Sequence, residues 1–297
     1  PYTTLFRSAG WRVRLGVSLA VLLCGSAVCG CRALPRKADA RERADKVGAY
    51  RAEAERLRGL PLAHEVALAR ETREELQGAM EKELDKAENR AFMDEAELML
   101  RQSRLLGEGA ELRTVFLDLM RQQVAAYYDP EAKRLAYVEE APSEGKGREA
   151  GELPGMERFV YVHEFCHAIE DSHFDLDGLG KAAMGDLDRN LALTSFVEGN
   201  AVLTGIDGLL EEYGFPVNTA TPFGAWMVGL MGSVKVEDKA AEFEGVPPFL
   251  AGALLRPYLD GAVFSNRIRR EAGWQAVDAA YRRSEEHTSE LQSRQVI

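Results

Sequence analysis

Phe159-Val160-Tyr161-Val162-His163-Glu164-Phe165-Cys166-His167-Ala168-Ile169 is the stretch on which the reading turns. Apolar residues flank and interleave the polar ones, so Met156 to Asp171 is predicted to be a helix sunk in the core. Residues four apart on a helix share a face, about 40° apart, so the imidazoles of His163 and His167 can reach one ion. Glu164 projects beside them without needing to touch the ion. It can take a proton from an activated water and return it to a leaving group. The plain alternative is a pair of structural histidines on a core helix.

A zinc site that leaves one position to water needs a third protein ligand. His173 lies six residues after His167, the spacing of the H-E-x-x-H-x-x-G-x-x-H pattern, but Glu170 stands in the place of the glycine. Without a turn there, His173 is rotated about 240° from His167, off the metal face. Glu198 is the stronger candidate. It sits in Ser195-Phe196-Val197-Glu198-Gly199-Asn200-Ala201, within a second predicted helix from Met184 to Tyr213. Glycine inside a helix costs about 1 kcal/mol relative to alanine, so Gly199 points to another element pressing close. The bland reading of Glu198 is a solvated surface carboxylate. Cys166, about 100° round the helix from His167, is expected to pack as a small buried residue.

The chain on either side supplies a framework. Thr72 is an available N-cap with Glu75 as box partner, opening helical patterns that run to Arg104. Glu65 to Ala69 reads as a short strand. Val124 to Tyr128 and Arg134 to Val138 read as a hairpin around Asp129-Pro130, followed by a loop over 142–155. Phe249 to Tyr281 has helical spacing, broken near Gly261 and Gly273. The fold class expected is helix-rich α+β.

In this order along the chain, several motifs resemble a family of bacterial and archaeal exported proteins with a gluzincin-type metallopeptidase domain. They are Gly59-Leu60-Pro61-Leu62, Tyr127-Tyr128-Asp129-Pro130, the helix from His163 through Leu176, Val197-Glu198-Gly199-Asn200-Ala201, and Pro257-Tyr258 with Gly261. The likeness covers a domain of residues 59–282 whose C-terminal tail is cut off. It implies a zincin-like fold with the hairpin as a sheet edge over the active-site helix. It also implies zinc as cofactor, His163, His167 and Glu198 as ligands, Glu164 as catalytic base, and a peptide or protein substrate. Many gluzincins carry an aspartate four residues after the third ligand to orient a histidine. Val202 stands there, so Asp171 and Asp188 are candidates for that role. Tyr127, Tyr128, Tyr258 and His173 are candidates to stabilise an oxyanion. The hairpin resembles the edge that binds substrate by strand addition in zinc peptidases. The rival reading is a non-catalytic zinc-binding envelope lipoprotein that uses the fold to bind a partner.

Residues 1–8 and 283–297 resemble translated sequencing adapters, so the natural sequence is expected to run from about residue 9 to about residue 282. Residues 9–30 read as a signal peptide. Arg12 and Arg14 precede an apolar run, Leu15 to Val28, that is short of the roughly 18–20 residues a membrane-spanning helix needs. Val28-Cys29-Gly30-Cys31 resembles a lipobox, which would make Cys31 the lipidated first residue of an exported lipoprotein. Such a protein is anchored to the membrane on the periplasmic or outer-surface side; an ordinary cleaved signal is the alternative. Residues 31–58 are charged and helix-prone and read as a tether or a loosely packed helix. Of the 4 cysteines, Cys24 and Cys29 lie in the signal and Cys31 is the lipidation candidate, which leaves Cys166 without a partner for an intramolecular disulfide. The net charge is −11 with no basic block beyond the N-terminus, which argues against nucleic acid as a partner.

Overall fold

The computed structural model describes residues 16–17, 40–139, 155–183, 186–234 and 248–294. The signal-peptide reading falls outside these residues except at Gly16 and Val17, and Cys31 and most of the 142–155 loop lie outside them too. Among the described residues no helix is long and apolar enough to cross a membrane.

The fold is helix-rich α+β with one small sheet. The sheet consists of β1 (Gly16–Val17), β2 (Ala67–Thr72), β3 (Ala126–Asp129) and β4 (Arg134–Glu139), in the order β1-β3-β4-β2. β3 and β4 form the expected antiparallel hairpin, with Tyr127 opposite Ala136 and Tyr128 opposite Leu135. Its turn is an aspartate turn: Asp129 Oδ1 accepts the N–H groups of Glu131 and Ala132, each at 3.0 Å. β2 adds parallel to β4, and the two-residue β1 pairs antiparallel with Tyr127 and Tyr128.

The helices of the described residues fall into three groups along the chain. α1 (Ala40–Arg58) lies between β1 and β2. α2 (Arg73–Leu84), α3 (Ala87–Gln102) and α4 (Leu112–Gln123) follow β2. α2 starts on the predicted capping box: Thr72 Oγ1 accepts Glu75 N–H at 3.1 Å and Glu75 Oε2 accepts Thr72 N–H at 2.8 Å. After the hairpin come α5 (Met156–Phe174), α6 (Leu176–Ala183), α7 (Leu187–Glu212), α8 (Pro222–Gly232) and α9 (Pro248–Arg294).

α5 is the centre of the molecule, and every residue from Phe159 to Asp171 is buried. It packs against α7, α1 and β3, while α9 runs along α7. Val162, Phe165, Ala168 and Ile169 share a core with Val47 and Ala54 of α1 and Tyr128 and Leu135 of the hairpin. A second core joins α2–α4 to Val202, Leu203, Tyr258 and Ala262.

Two expectations are corrected here. Within the stretch 31–58 read as a tether or a loosely packed helix, Ala40–Arg58 is a helix packed against α5. Arg58 at its end has no exposed surface and is ion-paired with Glu170 at 2.8 Å and Asp278 at 2.7 Å. Lys46 and Arg56 pair with Glu157 and Glu211, and Glu53 pairs with Arg158. Charge partners on distant elements replace the broad apolar face that the sequence lacks. The last helix also runs unbroken through Gly261. It kinks only at Ala272–Gly273, where Gly273 has φ +70°.

Candidate metal centre

α5 and α7 cross so that three side chains converge. His163 Nε2 lies 3.0 Å from His167 Nε2, and Glu198 Oε2 lies 3.3 Å from the first and 3.4 Å from the second. Four ligands placed tetrahedrally at about 2.0–2.1 Å from zinc stand about 3.3–3.4 Å from one another. The three donor atoms therefore already have the spacing of three corners of a zinc site. All three residues are buried: His163 is 0%, His167 3% and Glu198 4% exposed. They form the one His/Cys/Asp/Glu group among the described residues that can hold a metal ion.

The electrostatics of the cluster favour a cation at its centre. Burial drives the His163 imidazole down to about 4, against the attraction of Glu198. Burial also opposes charge on His167, but the Glu198 carboxylate outweighs it and raises that imidazole to about 9. Burial likewise resists the Glu198 charge, yet His167 and the hydrogen bonds of both rings bring it down to about 2. A protein-only cluster thus holds one proton as its cation at neutral pH. The same buried donor set could hold a metal ion in that place.

Gly199 is what lets α9 approach. A methyl group there would collide with the Gly261 carbonyl, and one on Gly261 would strike the Ser195 carbonyl oxygen. The two helices touch backbone to backbone, next to Glu198. Three residues upstream of Gly261, Tyr258 lays its ring against His163, with centroids 6.2 Å apart and planes at 19°.

Glu164, between the two histidines, is 0% exposed, and its Oε2 accepts the main-chain N–H of Tyr128 at 2.7 Å. The hairpin thus meets the helix at the carboxylate proposed to move protons.

The remaining candidates are placed as follows. His173 is exposed and its Nε2 donates to the Pro61 carbonyl at 2.7 Å, away from the cluster. Tyr127 donates to Glu71 at 2.9 Å and accepts from Arg134 at 3.0 Å, and its phenol is turned from the cluster. Tyr128 donates its phenolic hydrogen to Asp171 Oδ2 at 2.7 Å. Of the tyrosines named from sequence, only Tyr258 presents its ring to a ligand histidine. Asp171 orients no histidine: its oxygens accept Tyr128 O–H, Lys133 Nζ and Leu176 N–H. Asp188 is exposed in the first turn of α7, ten residues and about 15 Å of helix before Glu198. Cys166 is buried with its Sγ 3.4 Å from Thr204 Oγ1, outside the cluster, and burial raises its thiol well above the usual range.

Sequence reading missed a polar network behind the site. Glu170, noted only for not being glycine, accepts Arg58 Nε at 2.8 Å and Tyr281 O–H at 2.7 Å. Asn200 Nδ2 donates to the same tyrosine oxygen at 3.1 Å. Tyr281 thereby joins α5, one turn after His167, to α7, two residues after Glu198. A polar residue at a core position of each helix was the available signal. Comparison with known proteins finds no matching family model, no similar curated protein and no similar solved structure.

Proposed function

We propose that this chain is a zinc-dependent peptidase of the gluzincin type. The observation that carries the reading is the convergence of His163, His167 and Glu198 with Glu164 held on the same buried helix. A purely structural zinc is ordinarily closed by four protein ligands, whereas this group has three members among the described residues. Nor does a structural site need a buried carboxylate between its two histidines.

When bound, zinc supplies Lewis acidity that makes water nucleophilic near neutral pH and polarises a carbonyl. The chain's own residues do the rest. Glu164 accepts a proton at its carboxylate and passes it to the departing amine nitrogen. The hairpin edge expected to take substrate by strand addition is covered by β1, which pairs with Tyr127 and Tyr128. Burial of the donors lowers the local dielectric, so each charge acts more strongly than it would in water. The N-terminal reading places the substrates outside the cytoplasm, with the enzyme exported and held at the membrane through a lipidated Cys31.

The test is purification of the full chain, measurement of bound zinc, and assay on casein and a quenched peptide library beside Glu164→Gln. Stoichiometric zinc, with cleavage abolished in Glu164→Gln while its zinc remains, is the expected result. Cleavage indifferent to Glu164→Gln overturns the mechanism. Zinc without cleavage of any peptide favours the non-catalytic envelope protein, and absence of zinc removes both readings.

A further inference from the structure

We propose that Tyr128 is a positioning residue for Glu164, held in place through its phenol by Asp171; the role in turnover rests on the hydrolytic reading above. Tyr128 is bonded at both ends to the same helix. Its N–H donates to Glu164 Oε2 at 2.7 Å and its O–H donates to Asp171 Oδ2 at 2.7 Å. Glu164 and Asp171 are seven residues apart on α5, two turns on one face and about 10.5 Å along the axis. Tyr128 therefore lies lengthwise along the helix, main chain at one carboxylate and ring tip at the other. One bond would leave a hinge. Two bonds fix both the height and the rotation of β3 over α5.

The far anchor is itself immobile. Asp171 is 4% exposed, and it also accepts Leu176 N–H at 3.1 Å and Lys133 Nζ at 2.6 Å. His64 Nε2 stands 3.0 Å from the Tyr128 oxygen. The phenolic hydrogen is committed to Asp171, so His64 is the donor in that contact. The Tyr128 oxygen thus accepts one bond and makes one, and its ring is 1% exposed in the hydrophobic core.

The consequence falls on Glu164. A carboxylate with one oxygen held by a rigid N–H cannot spin about its terminal bond. The lone pairs it offers to a reacting water are therefore aimed before substrate arrives. Asp171, too far to touch the reacting atoms, acts on Glu164 through the tyrosine. The phenol, engaged at both ends, is not a free donor for an oxyanion.

The experiment compares wild type, Tyr128→Phe and Asp171→Asn as metal-loaded full chains. Tyr128→Phe removes one oxygen and keeps the N–H and the ring. Hydrogen exchange at the residue-128 amide is read by NMR, with zinc content, and kcat and KM on a quenched peptide are measured in parallel. In Tyr128→Phe the residue-128 amide is expected to exchange at least about tenfold faster while the Leu135 amide and the zinc content stay unchanged. kcat falls roughly 10- to 100-fold with KM within about twofold, the size of effect typical of groups that orient a catalytic residue. Asp171→Asn shifts the same two quantities, and the double variant is no worse than the poorer single one, because both act through one linkage. Unchanged exchange at residue 128 in folded Tyr128→Phe overturns the proposal, as does faster exchange with unchanged kcat. If wild type binds zinc but cleaves nothing, the hydrolytic reading falls by itself, and the exchange comparison still decides whether the phenol holds the N–H.

Discussion

Glu198 and Gly199 are neighbours with different duties, one supplying a donor atom and the other the room for it. Removing the donor by Glu198→Ala, or by His163→Ala, is expected to reduce bound zinc to background, whereas His173→Ala leaves it intact; metal analysis of the purified variants checks both. Filling the room has a different signature. Gly199→Ala forces a methyl group into the Gly261 backbone, and such overpacking costs about 1–3 kcal/mol. Gly229→Ala on α8 meets nothing within 4 Å, so it gains about 0.5–1 kcal/mol from helix propensity. Two substitutions of the same chemical kind in helices should therefore move the denaturation midpoint in opposite directions. The pairing of His163 with His167 was legible because helical periodicity fixes which residues share a face, and Gly199 because glycine is costly inside a helix. Glu170 was harder to read: its place on a core helix was a signal, but its partner Arg58 is 112 positions away.

Among the elements, α1 shows where pattern reading fails. Its few apolar positions suggest a loose helix, but its charged residues are matched by others on α5, α7 and α9. The same letters describe a solvated face and a docked one, and only tertiary partners tell them apart. Arg58→Ala leaves Glu170 buried without its cation, so the protein is expected to lose about 3–5 kcal/mol in denaturant unfolding. The hairpin and the capping box were readable because turn and cap chemistry is local. α8 went unread, with 216–222 read as loop, although its signal was local: Thr221 caps it and Pro222 stands in its first turn. α6, of eight residues, follows α5 too closely for its own period to stand out.

For the molecule as a whole, the metal-site reading has metal and proton competing for one position, and stability after chelation tests it. The raised His167 value means its contribution is complete below about 6.5 and is lost as pH climbs through about 9. The depressed His163 value acts the other way, removing stability as pH falls from about 6.5 towards about 4. Glu198, also depressed, loses its contribution between about 4.5 and about 2. The melting temperature of the chelated protein is therefore expected to crest near pH 6.5 from this cluster. Zinc should lift it everywhere near neutrality by mass action and abolish the alkaline decline. Scanning calorimetry across pH, with and without chelator, decides this.

The tie from Arg58 to Asp278 has a temporal side. It joins positions 220 apart in the chain, while Gly261 and Tyr281 brace the helix that bears Glu198. Contacts so distant in sequence form late, because the intervening loop must first be closed. His163, His167 and Glu198 are present on a nascent chain long before α9 emerges, yet their arrangement is braced only when that helix docks. The cluster should therefore take its final geometry last, and a nascent chain should pass through much of its synthesis without it.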